Sequence, residues 1–478
     1  MGHEHCSIHL EVFAMLQSKQ EKAIAKIESL LKSPSRGGGV NKWRVPPLRA
    51  SLDNTIHELG EWQRLFDPTW YLILRIANKS IDEALSFDKR ELESVDNEST
   101  ISSSSSKSSS SSKTLVSAGN LRKALAFDSA SDIHVTLSDN KLDWDQTETV
   151  PYSTTKIVHR IKSPKRYIVN TIDCSSDIDL NQVRTDAESL ARKLSRVESD
   201  EFGLLAARGL VKRKREGTTQ IQSINLVFSL PADAREPRSL RQELMKPQTF
   251  SLSKILDLAR RLAQAISFIH TCDFVHKNIR PETIISFGDF SLDDQAAGKT
   301  YLLGFDSFRN INFHTLRKGD AALERDLYRH PSRQGLSAHN KYVMQHDVYS
   351  LGVCLLEIGL WTSFVEYEHV EEGDASNVEP KPKPSAALGM ETGDFEPRII
   401  EATNSYDHIK DHLVALARSK LPLRMGDKYT SVVVTCLTCL DEGNEDFGDD
   451  KDMQDEDGIL VGVRFIEKVL FGLSDISF

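Results

Sequence analysis

The most informative stretch of this chain is Phe274-Val275-His276-Lys277-Asn278-Ile279-Arg280-Pro281-Glu282-Thr283. A long segment with apolar residues at helical spacing leads directly into it, which predicts an amphipathic helix with one buried face. The apolar residues of that face are Ile255, Leu258, Leu262, Ile266 and Ile269. Ser251 or Ser253 stands at its start, where a serine caps the first turn of a helix. The sequence therefore predicts a long helix that runs straight into a polar loop.

Three later stretches complete a recognisable order: Tyr301-Leu302-Leu303-Gly304-Phe305-Asp306, then Tyr328-Arg329-His330-Pro331-Ser332, then Asp347-Val348-Tyr349-Ser350-Leu351-Gly352-Val353-Cys354-Leu355-Leu356-Glu357-Ile358. With the loop they resemble the large lobe of protein kinases, whose patterns are H-R-D-L-K-P-E-N, D-F-G, Y-R-A-P-E and D-V-x-S-x-G-x-x-L-x-E. The resemblance implies an α+β, bilobal protein-kinase-like domain with a small antiparallel β lobe and a large helical lobe. It also implies that Asp347 accepts backbone N–H groups of the loop and fixes its shape.

The resemblance fails at the positions where kinases do chemistry. Asn278 stands at the catalytic base and Thr283 at a metal-binding asparagine, while Gly304 replaces the second magnesium ligand. A kinase base accepts the proton of the substrate hydroxyl and orients it. A neutral amide has no basic lone pair, and loss of a general base costs about 10²–10⁴ in rate. Asp306 lies two residues beyond Gly304, so it would replace the lost ligand only if its side chain turned the same way.

The nucleotide-binding positions are also changed. No glycine stands between Asn120 and Phe202, whereas kinases cover the phosphates with a glycine-rich turn. The apolar run Lys165–Asp173 predicts the third strand and places Asn170 where the family has its phosphate-pairing lysine. In the kinase resemblance, Glu188 would be the glutamate of helix αC, which pairs with that lysine. With no lysine partner evident, we expect it to be a solvated residue on the helix face.

The sequence thus predicts a pseudokinase. The degenerate catalytic positions are His276, Lys277, Asn278 and Arg280, and the candidate cofactor positions are Asn170, Glu188, Thr283, Gly304 and Asp306. Phosphoryl transfer depends on positioning and electrostatic stabilisation, and five independent losses leave no evident route for it. The retained family residues, such as Phe305, Asp347 and Gly352, pack or hold backbone. We therefore expect no metal and no cofactor, with ATP binding without magnesium left open.

Two alternatives remain. The first is a divergent active protein kinase that uses Asp306 for metal and Lys165 for phosphate. The second makes the N-terminal helices an effector that the kinase-like region regulates. Trp62-Gln63-Arg64-Leu65-Phe66-Asp67-Pro68-Thr69-Trp70 and the Tyr-Arg-His-Pro segment are similar to a group of fungal proteins with a HeLo-associated helical region before a kinase-like domain. That similarity implies cell-death or incompatibility signalling.

The net charge of −10 is concentrated in one segment. Asp441 to Asp457 holds ten acidic residues and one lysine, and we expect a solvated loop insertion there. No run approaches the roughly 18 apolar residues of a membrane span, and no secretory signal opens the chain, so we expect a cytoplasmic protein without an integral membrane segment. Cys436 and Cys439 lie in an apolar run, which favours buried core cysteines over a zinc site.

The predicted organisation has four parts: helices over 1–90, a flexible linker over 91–122 that contains the serine run Ser102–Ser112, a small lobe over 123–245 and a large lobe over 246–478 with the acidic insertion 441–457. The segments from Gly203 to Lys214 and from Ile221 to Leu230 predict a strand pair around the turn 215–218. The basic run Lys212–Arg215 resembles a nuclear-localisation patch, but its place at a strand end predicts an ordinary exposed hairpin. We expect a protein partner on the surface from Ser307 to His330 and no nucleic acid.

Overall fold

The structure is a computed structural model, and it describes residues 135–174, 179–197, 202–215, 217–231, 234–288, 299–310, 322–334, 342–367, 381–395, 407–447 and 459–477. The statements below concern those residues. The predicted helical region 1–90, the linker 91–122 and the part of the acidic insertion after Phe447 lie outside them. The predicted boundaries between the four parts stay predictions.

Five antiparallel strands form the first part of the described fold, in the order β1-β2-β3-β5-β4. They are Leu142–Thr149 (β1), Lys156–Arg160 (β2), Arg166–Asp173 (β3), Ala207–Lys214 (β4) and Ile221–Ser229 (β5). The central strand β3 buries side chains on both faces, with Ile168 in the main core and Val169 in a smaller apolar cluster with Val227. β-branched residues suit such a pleated, half-buried surface.

One helix, α1 (Leu180–Leu194), covers the side of the sheet next to β4. Asp179 caps it, because its carboxylate accepts the backbone N–H groups of Asn181 and Gln182 at 3.0 and 3.2 Å. Four residues at helical spacing are buried in the main core: Ala187, Leu190, Ala191 and Leu194. Burial of this stripe holds the helix against the sheet.

A short connection leads from the sheet to the helices. It consists of β6 (Pro237–Ser239) and α2 (Leu240–Leu244). β6 pairs with β8 (Ile284–Phe287), which pairs with β9 (Thr300–Leu302). Because β8 begins directly after Thr283, this three-stranded sheet fixes the end of the loop from 274 to 283.

Three long helical segments build most of the second part: α3 (Leu252–Thr271), α5 (Met344–Leu360) and α6 (Asp407–Leu437), and α6 is kinked at Gly426, where the backbone is not helical. α5 is buried from Met344 to Gly359, and its polar residues, such as Asp347 and Glu357, are buried with its apolar ones. Gly352 lets it approach α6 closely, since a Cβ there would lie 2.8 Å from Cys436 Cβ. The shorter elements are β7 (Phe274–Val275), β10 (Arg309–Asn310), α4 (Leu323–Asp326), β11 (Val365–Tyr367), β12 (Pro382–Pro384), α7 (Ile459–Phe465), a π-helical turn (Ile466–Leu470) and α8 (Phe471–Ser474).

The described elements agree with the expected α+β class: an antiparallel sheet, then helices. The predicted third strand and the strand pair around the basic run are confirmed, although β4 begins at Ala207 and not at Gly203. Ser251 is the N-cap residue of α3, but its side chain makes no capping hydrogen bond. Cys436 and Cys439 are both buried, as predicted. No helix in the described ranges has the length and apolar character needed to cross a membrane.

Candidate functional site beside the loop from 274 to 283

Asp347 holds the loop in place. Its carboxylate accepts the backbone N–H of His276 at 2.7 Å and that of Lys277 at 2.9 Å, as the sequence predicted. Tyr342 Oη donates to it at 2.7 Å, and His270 Nε2 lies 3.0 Å away. Burial alone would raise the pKa of Asp347, but the hydrogen bond to His270 and its other polar neighbours outweigh burial and hold the pKa below its usual value. A fully buried carboxylate thus organises the loop.

Asn278, at the expected base position, has its amide committed to neighbours. Its Nδ2 donates to Asp306 Oδ1 at 2.9 Å and to Gly304 O at 3.2 Å, while its Oδ1 accepts Arg280 Nε at 2.8 Å. Such an amide cannot take a proton from a hydroxyl. The side chain therefore ties together the two segments that flank the cleft. It also shows that Asp306 does point toward the loop, a possibility that the sequence left open.

Thr283 and Gly304, at the two expected metal-ligand positions, pack against each other. The single hydroxyl hydrogen of Thr283 is shared between Asn278 O, 2.8 Å from Oγ1, and Arg280 O, 2.9 Å from it, and Thr283 is fully buried. Gly304 has φ +83, and a Cβ there would lie 2.7 Å from Thr283 Cβ and closer still to its methyl group. The threonine thus fills the space that a side chain at 304 would need.

Asn170, at the expected lysine position, completes the same arrangement. Its Oδ1 accepts the backbone N–H of Gly304 at 3.0 Å, and its Nδ2 donates to Thr155 Oγ1 at 3.2 Å. Both side chains are buried. Because buried polar groups are costly when unpaired, this chain of hydrogen bonds stabilises a closed contact between β3, the start of β2 and Gly304.

Replacing Gly304 by alanine tests how tightly this contact is closed. Gly217 is the matched control, since it also has a positive φ (+70) but an added Cβ there would meet no atom within 4 Å. Both changes strain the backbone, by about 1–2 kcal/mol. Gly304→Ala should cost about 1–2 kcal/mol more, because overpacking adds to that strain. Urea unfolding of both variants measures the difference, and equal free energies of unfolding would contradict the close packing.

The turn between β1 and β2 is anchored to other parts of the protein. Ser239 Oγ donates to Pro151 O at 2.7 Å, and the ring of Tyr152 lies 4.9 Å from the ring of Tyr367. Tyr152 has φ 53, a left-handed conformation that is uncommon for a bulky residue, so its surroundings must hold it. The corresponding turn of nucleotide-binding kinases lies over phosphates. Here it contacts the connection after the sheet and β11.

Glu188 has a lysine partner, so our expectation of a solvated residue is wrong. Lys212 Nζ donates to Glu188 Oε1 at 2.8 Å, and Arg192 Nη2 lies 3.6 Å from Oε2. The partner comes from β4, the edge strand that α1 packs against, and not from β3. Lys212 is therefore half-buried, and the basic run is not exposed throughout. The buried carboxylate of α1 is that of Asp186, which accepts Gln182 Nε2 at 2.8 Å.

A cavity of about 570 Å³ lies between β1–β3 and the loop. Thr149 and Thr171 line it from the sheet, Asn278 and Asp306 from the loop side, and Tyr328 from the segment that follows. Its charged lining residues are mostly cationic. The cations are Lys156, Lys277, Arg280, Arg325, Arg329 and Arg333. The anions are the carboxylates of Asp173 and Asp306.

Sequence reasoning missed three arginines of this cavity and the residue Thr155 that bonds to Asn170. Arg325, Arg329 and Arg333 recur at intervals of four in the sequence, which was the available signal. Thr155 had no such signal, since only the fold brings it to Asn170. Within the described ranges, no group of three or more His, Cys, Asp or Glu side chains is placed to hold a metal ion.

Comparison with known proteins gives a partial match. No family model matches the chain. A RAF proto-oncogene serine/threonine-protein kinase of Xenopus laevis is 25% identical over 132 residues, which are 26% of this chain and 18% of that protein. The mitosis inhibitor protein kinase mik1 of Schizosaccharomyces pombe is 29% identical over 140 residues, 28% of this chain and 22% of that protein. The chain thus spans about a fifth of the length of these curated relatives. These similarities and the α+β fold support a kinase-like domain in this protein.

Proposed function

We propose that this protein is a pseudokinase: a two-lobed, kinase-like domain that binds a protein partner and does not transfer phosphate. The observation that carries the proposal is the filled site around Gly304. Asn278, Thr283 and Asn170 occupy the expected base, metal and lysine positions, and each is hydrogen-bonded to the protein itself. Catalysis of phosphoryl transfer needs groups that hold phosphates and metal in these places.

The geometry also disfavours nucleotide binding of the family type. In kinases, a phosphate-pairing lysine and the metal ions that two protein ligands hold neutralise charge that develops on the nucleotide. Their replacements are neutral, and the turn between β1 and β2 is bonded to Ser239 and packed on Tyr367. We therefore infer that bound ATP is not part of this protein's function.

The alternative of a divergent active kinase is less well supported. It needs Lys165 to reach a phosphate held near Asp306. Lys165 lies in the turn before β3, is exposed, and stands five residues before Asn170. At about 3.3 Å per strand residue it is roughly 16 Å from the position that faces Gly304. Asp306 faces the cavity, but its neighbour Asn278 offers an amide in place of a second carboxylate.

Thermal unfolding with nucleotide tests the proposal. A ligand that binds only the folded state stabilises it by about 2.7 kcal/mol at 100 times its dissociation constant. We expect ATP at about 5 mM, with or without Mg²⁺ or Mn²⁺, to raise the melting temperature no more than inorganic triphosphate of the same concentration. Triphosphate is the matched control because it carries the charge of ATP without the nucleoside.

Three results would contradict the proposal in whole or in part. A shift that requires both adenine nucleotide and divalent metal would reopen catalysis. Phosphorylation of a partner that disappears in Asp306→Ala would overturn the proposal and support the active kinase. A shift with ATP alone, greater than that with triphosphate, would contradict the closed nucleotide site while leaving phosphotransfer absent.

A further inference from the structure

The cavity beside the loop concentrates positive charge in a protein whose net charge is −10. Six Lys and Arg residues line it and two carboxylates face it, so its lining carries a net charge of +4. Three of the cations, Arg325, Arg329 and Arg333, come from one short segment that includes α4. Lys156 lines the same cavity from β2. The cations thus come from both the sheet and the helical part.

Contacts with Tyr342 orient two of these cations. Lys277 Nζ lies 5.5 Å from the centre of its ring, and the Arg333 guanidinium lies 5.6 Å from it. The ring itself is fixed, since Tyr342 Oη donates to Asp347. Lys277 has φ +66, a left-handed conformation that costs free energy unless the surroundings determine it. The protein therefore holds two cations beside one ring at the wall of the cavity.

The cations on the segment after the loop are close enough to repel one another. Burial lowers the pKa of Arg333, and the positive charge of Arg329 acts in the same direction. Arg329 also contacts Asp326 at 2.9 Å, so its guanidinium is held in a defined place. An arrangement of like charges at fixed positions becomes favourable when an anion binds between them.

The lining favours phosphate over an apolar ligand. Small-molecule pockets are mostly apolar, whereas this one is lined by cations and by residues with hydroxyl groups such as Ser153 and Thr154. Guanidinium groups bind phosphate oxygens through two parallel hydrogen bonds, and clustered arginines are a recurring means of recognising phosphorylated peptides. The cavity is bounded on one side by β1, an edge strand of the sheet, and by the exposed Arg325.

We propose that this cavity binds a phosphorylated segment of a partner protein. Arg325, Arg329 and Lys277 contact the phosphate, while the hydroxyl groups of the β1–β2 turn contact the adjacent peptide. The proposal rests on the proposed function, since an active kinase would receive an unmodified hydroxyl there and release the phosphorylated product. A phosphate group is the chemical feature by which the proposed pseudokinase recognises its partner.

A peptide-library experiment on the full chain tests this. The probe is a degenerate peptide library with one fixed phosphoserine, immobilised on beads, beside the same libraries with serine and with glutamate at that position. We expect at least tenfold stronger retention by the phosphoserine library. Arg325→Gln and Arg329→Gln should each reduce that retention about tenfold, because hydrogen bonds to charged groups are among the strongest. Arg418→Gln, an exposed arginine of α6, is the control and should have no effect.

The outcomes separate this proposal from the proposed function. Equal retention on the phosphoserine and serine libraries would overturn it, as would phosphate-dependent retention that the two cavity variants leave unchanged. Arg325 is exposed, so Arg325→Gln should fold even if Arg329→Gln, which loses the contact with Asp326, does not. If the phosphoserine library is not retained and ATP gives no thermal shift, the phosphopeptide proposal is wrong while the pseudokinase proposal stands, with a partner of another chemistry. If inorganic triphosphate displaces the library as strongly as a free phosphopeptide does, the cavity is a general anion site. That result would also overturn the proposal of a phosphorylated peptide.

Discussion

Replacing Arg241 by methionine is expected to remove about 3–5 kcal/mol from the free energy of unfolding. Arg241 is completely buried, and its guanidinium lies 3.0 Å from Glu282 Oε1 and 2.7 Å from Glu357 Oε1. It also donates to Ser363 Oγ at 2.7 Å and to Tyr328 Oη. The change would leave two buried carboxylates without their main cation. Since folded domains are stable by about 5–15 kcal/mol, this is a large fraction of the total.

The charges of this cluster show why the arginine is needed. Burial opposes ionisation of Glu282, but Arg241 and Arg280 outweigh burial and lower its pKa. At Glu357 burial prevails and raises the pKa, although Arg241, Tyr328 and the backbone N–H of Phe364 all stabilise its charged form. One guanidinium thus serves two carboxylates that cannot both ionise freely without it.

Lys246→Met is the matched control for Arg241→Met. Lys246 contacts Glu243 at 2.7 Å but is about 42% exposed, so its loss should cost under about 1 kcal/mol. Urea midpoints of the two variants give the comparison. If Arg241→Met does not fold, the triple change Arg241→Met, Glu282→Met and Glu357→Met should recover soluble protein, because the two carboxylates are then removed together with their main cation. Equal stability of Arg241→Met and Lys246→Met would contradict the central role of the cluster.

Acidification from pH 6.5 to pH 4 is expected to cost about 3 kcal/mol for each of two buried histidines. Burial, aided by the charge of Lys410, lowers the pKa of His330 to about 4. Burial, aided by the charges of His330 and Arg333, lowers the pKa of His346 to about 3. In the unfolded chain both rings bind a proton near pH 6.5. Their contribution to stability is therefore complete above pH 6.5 and is lost as the pH falls toward the folded values.

The two rings share one contact, which identifies the variant to use. Ser332 Oγ lies 2.9 Å from His330 Nδ1 and 3.2 Å from His346 Nε2. His346→Gln removes one titrating group, so the slope of the free energy of unfolding against pH should fall by about 1.4 kcal/mol per pH unit in this range. Chemical unfolding at half-unit pH intervals measures it. His408→Gln, at an exposed position, is the control, and an equal change in slope for it would contradict the assignment to the buried pair.

The substitutions in the cleft are consistent with one another. Gly304 lacks a side chain where Thr283 supplies a methyl group, and Asn170 bonds the backbone of Gly304 where a kinase has a lysine. These changes therefore form a packed and hydrogen-bonded arrangement. Loss of catalytic groups by itself would leave buried polar groups without partners, which costs about 1–3 kcal/mol for each. Because these residues satisfy one another's hydrogen bonds, the arrangement supports the proposal of a stably folded pseudokinase.

Local pattern in the sequence was enough for several elements. The helical spacing from Ile255 to Ile269 predicted α3, and the alternation and turn residues around β3, β4 and β5 predicted those strands. The motif order also predicted that Asp347 would hold the loop. These predictions succeeded because each depends on residues close in sequence or on a spacing that a fold of this kind retains.

The partners of the site residues could not be predicted in the same way. Glu188 was assigned no lysine, because its partner Lys212 lies 24 positions later on a strand whose place beside α1 depends on the strand order. The contact of Arg241 with Glu357 joins residues 116 positions apart. Hydrogen bonds of this kind require atoms to be positioned to within a few tenths of an ångström, on the order of the range of donor–acceptor distances. No periodicity in the sequence encodes such positions.

A kinase-like order of motifs, and other residue types at the expected catalytic positions, could be predicted from the sequence, since both depend on which residue types stand at which spacing. The contacts that those residues make came from the tertiary structure. It brought Thr155 to Asn170, closed Thr283 on Gly304 and gathered six cations around one cavity. The physical reason is that side-chain identity limits the chemistry available, whereas packing of the sheet against the helices determines which side chains meet.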